Sequence, residues 1–172
     1  MTRSAARRIR DCAVLAVALA ATACDRAGAS SAPVMEGAYP SAEALVEAAL
    51  DAVAREDTAK MKSLLVTRDE HHDLLWASLP ESEHLSFEYV RWLNEHNTGK
   101  AMRRALERFG GQRFRLEKIE YTKSTETYPG FMLHRGAILT VVREADDAKG
   151  ELTLVDVLVE RPEGWKLFDY EE

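Results

Sequence analysis

The hydrophobic period of the chain changes once, at Gly110-Gly111, and that change limits the fold more than any other feature. Before it, apolar residues recur three and four positions apart; after it, they alternate. Helices followed by consecutive antiparallel strands define an α+β domain, here expected to pack its N-terminal helices on one face of a curved antiparallel sheet.

Ser41 is placed to cap a first helix that carries Leu45, Val46, Ala49, Leu50 and Val53 on one face. After a break at Arg55-Glu56-Asp57, Asp57 caps a short second helix whose Met61, Leu64 and Leu65 continue that face. Thr67-Arg68-Asp69-Glu70 spells a capping box, which satisfies two orphan amides at the start of a third helix running through Leu74, Leu75 and Leu79 to Pro80. Ser86 opens a further helix with Tyr89, Trp92, Leu93 and His96 on one stripe. Asn97-Thr98-Gly99 is expected to end it, and a last helix carries Ala101, Met102, Ala105, Leu106 and Phe109. Trp76, Trp92 and Trp165 all fall at core spacing.

In the second half, Phe114 and Leu116 alternate with Arg113 and Arg115, and Ile119 and Tyr121 resume the apolar row out of phase. That slip predicts a bulge near Glu117-Lys118. Further strands are expected from Phe131 to about Arg143, from Glu151 to Arg161 across a turn at 146–150, and from Trp165 to Tyr170 after Pro162-Glu163-Gly164.

Ahead of the helices, Arg3, Arg7, Arg8 and Arg10 precede the apolar run Ala13–Ala21, nine residues long. A spanning helix needs about 20 apolar residues, so this run is expected to be a leader rather than a permanent anchor. Leu19-Ala20-Ala21-Thr22-Ala23-Cys24 resembles the lipobox of bacterial lipoproteins, with Ala21 where Leu is commonest. The resemblance implies that residues 1–23 are a cleaved signal peptide and that Cys24 carries diacylglycerol and a further acyl chain such as palmitate. It also implies a domain exported from the cytoplasm and lipid-anchored to a membrane of the bacterial cell envelope. The alternative is an ordinary secretory signal that leaves Cys24 a free thiol. Cys12 falls within the leader, so no intrachain disulfide is expected. Residues 25–40 are rich in Ala, Ser, Gly and Pro without periodicity and are expected to be a flexible linker, with residues 41–172 as the domain. Loss of residues 1–23, which carry four Arg and one Asp, takes the formal charge from −6 to −9. So acidic a domain offers no electrostatic footprint for nucleic acid.

The order of elements, an Ala-rich helix, an acidic break and a second helix, then a long bulged strand and hairpins closing on Arg161-Pro162-Glu163-Gly164-Trp165-Lys166-Leu167-Phe168-Asp169, resembles the nuclear-transport-factor-like, or cystatin-like, superfamily. The resemblance covers roughly residues 41–170 and implies a cone-shaped α+β domain. Isomerases, dehydratases, polyketide cyclases and non-catalytic binding domains share that fold, and the enzymes place an Asp or His inside the cone.

Asp156 interrupts Leu152, Leu154 and Leu158 on an apolar face, and burial without a partner would make it a candidate base. If Val155, Val157 and Val159 face the helices instead, Asp156 points outward. His134 lies on the preceding strand and could shuttle a proton with Asp156 across the sheet. His71 and His72 are expected to be at the surface or half-buried rather than metal ligands, because successive helical residues diverge by about 100° and zinc sites on helices favour i, i+4 spacing. Lys100, Arg103, Arg104, Arg108, Arg113 and Arg115 form a basic cluster that suits either a helix C-terminus or docking on an anionic surface or partner. The reading these residues support is a tethered domain that binds an envelope protein partner or a small apolar ligand, without catalysis, cofactor or metal. The alternative is an isomerase-, dehydratase- or cyclase-like enzyme using Asp156 as acid or base.

Overall fold

The computed structural model describes residues 33–171, which form an α+β fold with four helices and two antiparallel sheets. Helix α1 (Ala42–Ala54) starts where Ser41 Oγ accepts from the Ala44 amide at 3.2 Å, and it buries Leu45, Val46, Ala49, Leu50 and Val53. Helix α2 (Thr58–Ser63) is capped by Asp57, whose carboxylate accepts from the Lys60 amide at 2.8 Å. The capping box at Thr67 and Glu70 forms and opens α3 (Arg68–Glu70). From there the backbone differs from the single helix expected. It widens into a π turn over His71–Leu75, tightens into 3₁₀ turns over Trp76–Ser78, and resumes as a further 3₁₀ turn at Pro80–Glu83.

Two expected helices are one. Helix α4 runs from Phe87 to Phe109, 23 residues, straight through Asn97-Thr98-Gly99. A glycine inside a helix costs about 1 kcal/mol against alanine, and burial of Thr98, Ala101, Met102 and Ala105 along the inner face outweighs it. The stripe of Tyr89, Trp92 and Leu93 points outward instead of into the core, at 52, 59 and 37 % exposure.

The seven strands are β1 (Phe114–Tyr121), β2 (Glu126–Tyr128), β3 (Phe131–Arg135), β4 (Ala137–Arg143), β5 (Ala148–Leu152), β6 (Val155–Arg161) and β7 (Gly164–Tyr170). One sheet has the order β1-β4-β5, the other β2-β3-β6-β7. The bulge predicted in β1 is present, as the register against β4 jumps from Leu116 to Lys118. The two long strands expected at 131–143 and 151–161 are each divided, and their halves belong to different sheets. Arg135 still faces Val157 and Leu139 faces Leu152, so a single long hairpin carries through the break with a slip of one residue. The bend lies at Gly136, which has φ +68° and donates its amide to Asp156 O at 2.8 Å. A Cβ at Gly136 would collide with Thr122 Oγ1, so glycine is required there twice over. The turn also sits earlier than expected, at 144–147, because the Asp146 carboxylate engages Arg143 and the Ala148 amide.

Strand β6 is buried on both faces, which is why its sequence is apolar on both rows. Leu158 joins Leu45, Val46, Met61, Leu139 and Leu167 in the core under α1. Val157 and Val159 join Phe131 and Leu133 in a second core closed by Met35, Val66, Leu75 and Leu79. The helices therefore do not all lie on one face, since the segment holding α3 and the π turn covers the other. Met35 is 3 % exposed, and the Tyr39 amide and carbonyl pair with Trp165 at 2.9 and 2.8 Å. The folded part thus begins before Ser41, and the C-terminal end of the expected linker belongs to it. Leu64 and Val66 bond to Leu167 on the same flank of β7, at 3.0 and 2.8 Å.

Candidate functional site

A cleft of about 450 Å³ opens where α4 passes the last strand. One wall is α4, with Arg91, Asn94, Glu95, Thr98, Gly99 and Met102; the other is Lys62 at the end of α2 with Leu65, Val66 and Thr67 of the turn that follows, and Phe168 of β7 completes the lining. Its chemistry is divided by depth. Leu65, Val66, Met102 and Phe168 supply an apolar bed, and Lys62, Arg91, Asn94 and Glu95 a polar rim. The Arg91 guanidinium is held in place by Glu95 Oε1 at 2.8 Å and by the Val66 carbonyl at 3.4 Å. At the inner end Thr98 Oγ1 donates to Asp169 Oδ1, which also accepts from the Tyr170 amide.

Beside the cleft lies a buried ion pair. Lys166 Nζ reaches Glu70 Oε1 and Oε2 at 2.9 and 2.8 Å, with side chains only 5 and 8 % exposed. Glu70 also accepts from the amides of Glu36 and Thr67, each at 2.8 Å. Burial pushes the Glu70 carboxyl upward, but the bonds from Lys166 and Thr67 and the Lys166 charge outweigh it and hold the group below its ordinary value. A charge pair this enclosed is tolerable because every carboxylate lone pair that matters has a donor.

His71, expected near the surface, is fully buried. Its ring meets Phe168, Phe87 and Trp76 edge-on, with centroids 4.9, 5.2 and 6.1 Å away, and among the described residues neither ring nitrogen has a hydrogen-bond partner. Desolvation first, then the charges of Arg91 and His72, lower its pKa to about 4, so the imidazole is neutral at physiological pH. His72 points the other way and bonds Asp73 Oδ1 at 2.6 Å, so the two rings do diverge.

The structure does not bring His134 and Asp156 together. His134 stands opposite Leu158 in the ladder, and its Nε2 lies 2.8 Å from Glu160 Oε2 while Nδ1 lies 3.2 Å from Thr125 Oγ1. The rings of Trp165 and Tyr121 flank it at 4.7 and 5.1 Å. Burial, then the charges of Glu43 and Glu160, raise the Tyr121 hydroxyl to about 12. Asp156 is half-buried at the bend, and its Oδ1 accepts from the Gly136 amide at 3.2 Å, so it is not an unpartnered carboxylate within the row of leucines. The basic cluster is divided as well. Lys100, Arg103, Arg104 and Arg108 follow α4, whereas Arg113 and Arg115 flank Phe114 beside a separate cleft that also presents Glu47, Asp51 and Glu144. Cys24 lies outside the described residues.

Trp92 is an outward residue rather than a core one, and sequence reasoning passed over the cleft, the Glu70–Lys166 pair and the burial of His71. The available signal was the apolar character of both rows of β6, which requires a second layer over Val157 and Val159. Compared with protein-family models, curated proteins and solved structures, the chain matches none.

Proposed function

We propose that this chain is a lipoprotein of the bacterial cell envelope, tethered through an acylated Cys24, whose domain binds a small apolar ligand in the cleft between α4 and β7. The observation that carries the ligand reading is the division of that cleft into an apolar bed and a polar rim, in a volume of about 450 Å³. Ligand sites typically occupy roughly 300–1,000 Å³ with this mixture of surfaces. With Arg91 offset by Glu95, Lys62 leaves the rim with one positive charge, which favours a ligand with an anionic head beside Lys62 and an alkyl or ring body over Phe168. The tether rests on the leader and on Cys24, and the nuclear-transport-factor-like reading rests on the order of helices and the bent hairpin that follows them. Separation of His134 from Asp156 supports binding over the acid–base alternative.

The test is titration of the full chain with dansylated undecanoic acid, which combines a carboxylate with an apolar body. Saturable binding is expected, with fluorescence enhancement. Gly99 lines the cleft, and a Cβ there would meet only Arg103 Nη1 at 3.9 Å, so Gly99→Leu should fold normally while obstructing the site. It should weaken binding at least tenfold. Unsaturable binding, or equal affinity in Gly99→Leu, would remove the ligand reading. Intact-mass spectrometry of membrane-extracted protein tests the tether separately: loss of residues 1–23 with added lipid mass is expected, and an unmodified thiol at Cys24 would refute it.

A further inference from the structure

The outward face of α4 carries a continuous stripe that the cleft does not use. At about 100° per residue, Tyr89, Trp92, Leu93, His96, Lys100, Arg103 and Arg104 fall within one third of the helix circumference, roughly opposite the cleft wall. Its first half is apolar and ordered despite exposure. Trp92 stacks on His96 with centroids 5.6 Å apart and planes 10° from parallel, and Tyr89 stacks on Trp92 at 6.4 Å. Leu85, two residues before the helix begins, is also exposed, at 45 %. Contiguous apolar surface of this kind on a domain marks a contact site more often than chance.

The second half is predominantly cationic. Among the described residues, Lys100, Arg103 and Arg104 have no acidic partner within ion-pair distance, whereas the acids flanking the stripe are taken: Glu88 by Arg68 and Glu95 by Arg91. Glu107 is the one carboxylate within the stripe, at its far end. An aromatic and aliphatic patch adjoining free cations on one helix face matches the interface of an anionic bilayer, where Trp and Tyr rings sit at headgroup level and Lys or Arg meet phosphate.

We propose that this stripe of α4 lies against an anionic phospholipid surface and so orients the domain on its membrane. The proposal rests on the tether reading for proximity and on the stripe for orientation. Eight residues separate Cys24 from Pro33, a span of at most roughly 30 Å. The chain then enters the fold in the layer that also holds the start of α4: Met35 packs with Val66 and Leu75, and Phe87 meets His71. A tether of that length holds the domain at the headgroups and leaves the choice of face to its surface charge. The domain as a whole is acidic, so the basic stripe is the face that an anionic surface would select.

The experiment uses the full chain with vesicles of phosphatidylethanolamine and phosphatidylglycerol carrying dibrominated acyl chains, which quench tryptophan at short range. Flotation reports tethering, and the part of the quenching that disappears in Trp92→Phe reports contact by the stripe. Substitution at an exposed ring leaves the fold intact, and the remaining tryptophans serve as internal controls. The proposal expects Trp92-dependent quenching that falls at least threefold in Lys100→Gln/Arg103→Gln, in 0.5 M salt, or when phosphatidylglycerol is replaced by phosphatidylcholine. Flotation with no Trp92-dependent quenching overturns the stripe and leaves the tether standing. Trp92 quenching by anionic vesicles in a chain that mass spectrometry finds unacylated overturns the tether and leaves the stripe standing. Absence of both, or quenching indifferent to charge and salt, overturns the proposal, as does a Trp92→Glu variant that releases a co-purifying envelope protein without altering vesicle contact.

Discussion

His71 and His134 occupy opposite faces of the β2-β3-β6-β7 sheet, and both are enclosed by aromatic rings. Their nitrogens fare differently. His134 has a carboxylate on one nitrogen and a hydroxyl within reach of the other, whereas His71 has three ring neighbours and no hydrogen bond. The first is an imidazole in a polar network at 12 % side-chain exposure; the second is an imidazole used as an apolar plate. The contrast shows that aromatic enclosure alone does not set the chemistry of a histidine. The donors and acceptors reaching through the rings do.

The largest effect is expected beside His71. Lys166→Met removes the cation from a carboxylate that is 7 % exposed, leaving Glu70 charged and buried. Breaking such a pair costs about 3–5 kcal/mol, measurable as a lowered denaturation midpoint, and Glu70→Gln in the same chain should restore part of the loss. A change below 1 kcal/mol would mean that Glu70 is solvated and that this face is not dry. Starting the chain at Ser41 should cost about 3–4 kcal/mol, because it removes the buried Met35 side chain, the Glu36 amide on Glu70 and the Tyr39 pairing with Trp165. An unchanged melting temperature would return residues 33–40 to the linker.

The next effect depends on pH. The unfolded His71 protonates near 6.5 and the folded one near 4, so between those values the unfolded state binds more protons. Stability is therefore complete above pH 6.5 and declines as pH falls toward 4, by about 3 kcal/mol in total. His71→Leu should flatten that window in urea denaturation curves measured at pH 7, 5.5 and 4.5, and should stabilise the domain at pH 5, since the nitrogens bond nothing. An unaltered slope would show that His71 is reached by water. Any fall below pH 4.5 belongs to Glu70 as well, whose lowered pKa makes its share persist further into acid. The smallest effect is expected on the other face: Glu160→Gln keeps a hydrogen-bonding group for His134 in a part-exposed site and should change stability by about 1 kcal/mol or less.

The legible parts of the fold were the local ones. Ser41, Asp57, the Thr67–Glu70 box and the β1 bulge depend on residues a few positions apart, and each occurs where the pattern places it. Breaks and faces were less legible because partners across the fold decide them. Gly99 reads as a stop until the inner face of α4 is known, and Gly136 reads as a tolerated strand residue until Thr122 is seen beside it. Trp92 shares helical spacing with core residues, and only the opposite set, Thr98, Ala101, Met102 and Ala105, shows which side is inward. At the candidate site the limits were similar. The cleft draws on three separated segments, and His71 sits among Glu70, His72 and Asp73, whose charges disguise its burial. His134 was singled out, but the partner follows from register, and the register sets Leu158 opposite it with Glu160 one pleat away.

The flank of β7 has a consequence for crowding. On one side β7 bonds β6; on the other, Tyr39 and the Leu64–Val66 segment bond residues 165 and 167. That outer row of amides and carbonyls is thus largely occupied by the chain's own irregular segments and presents little template for a neighbour's strand. The opposite margin of the same sheet, β2, is only three residues long. Copies held at high local concentration meet often, and any long open sheet margin would then seed edge-to-edge stacking. By closing one margin and shortening the other, this sheet resists growth by strand addition under just those conditions.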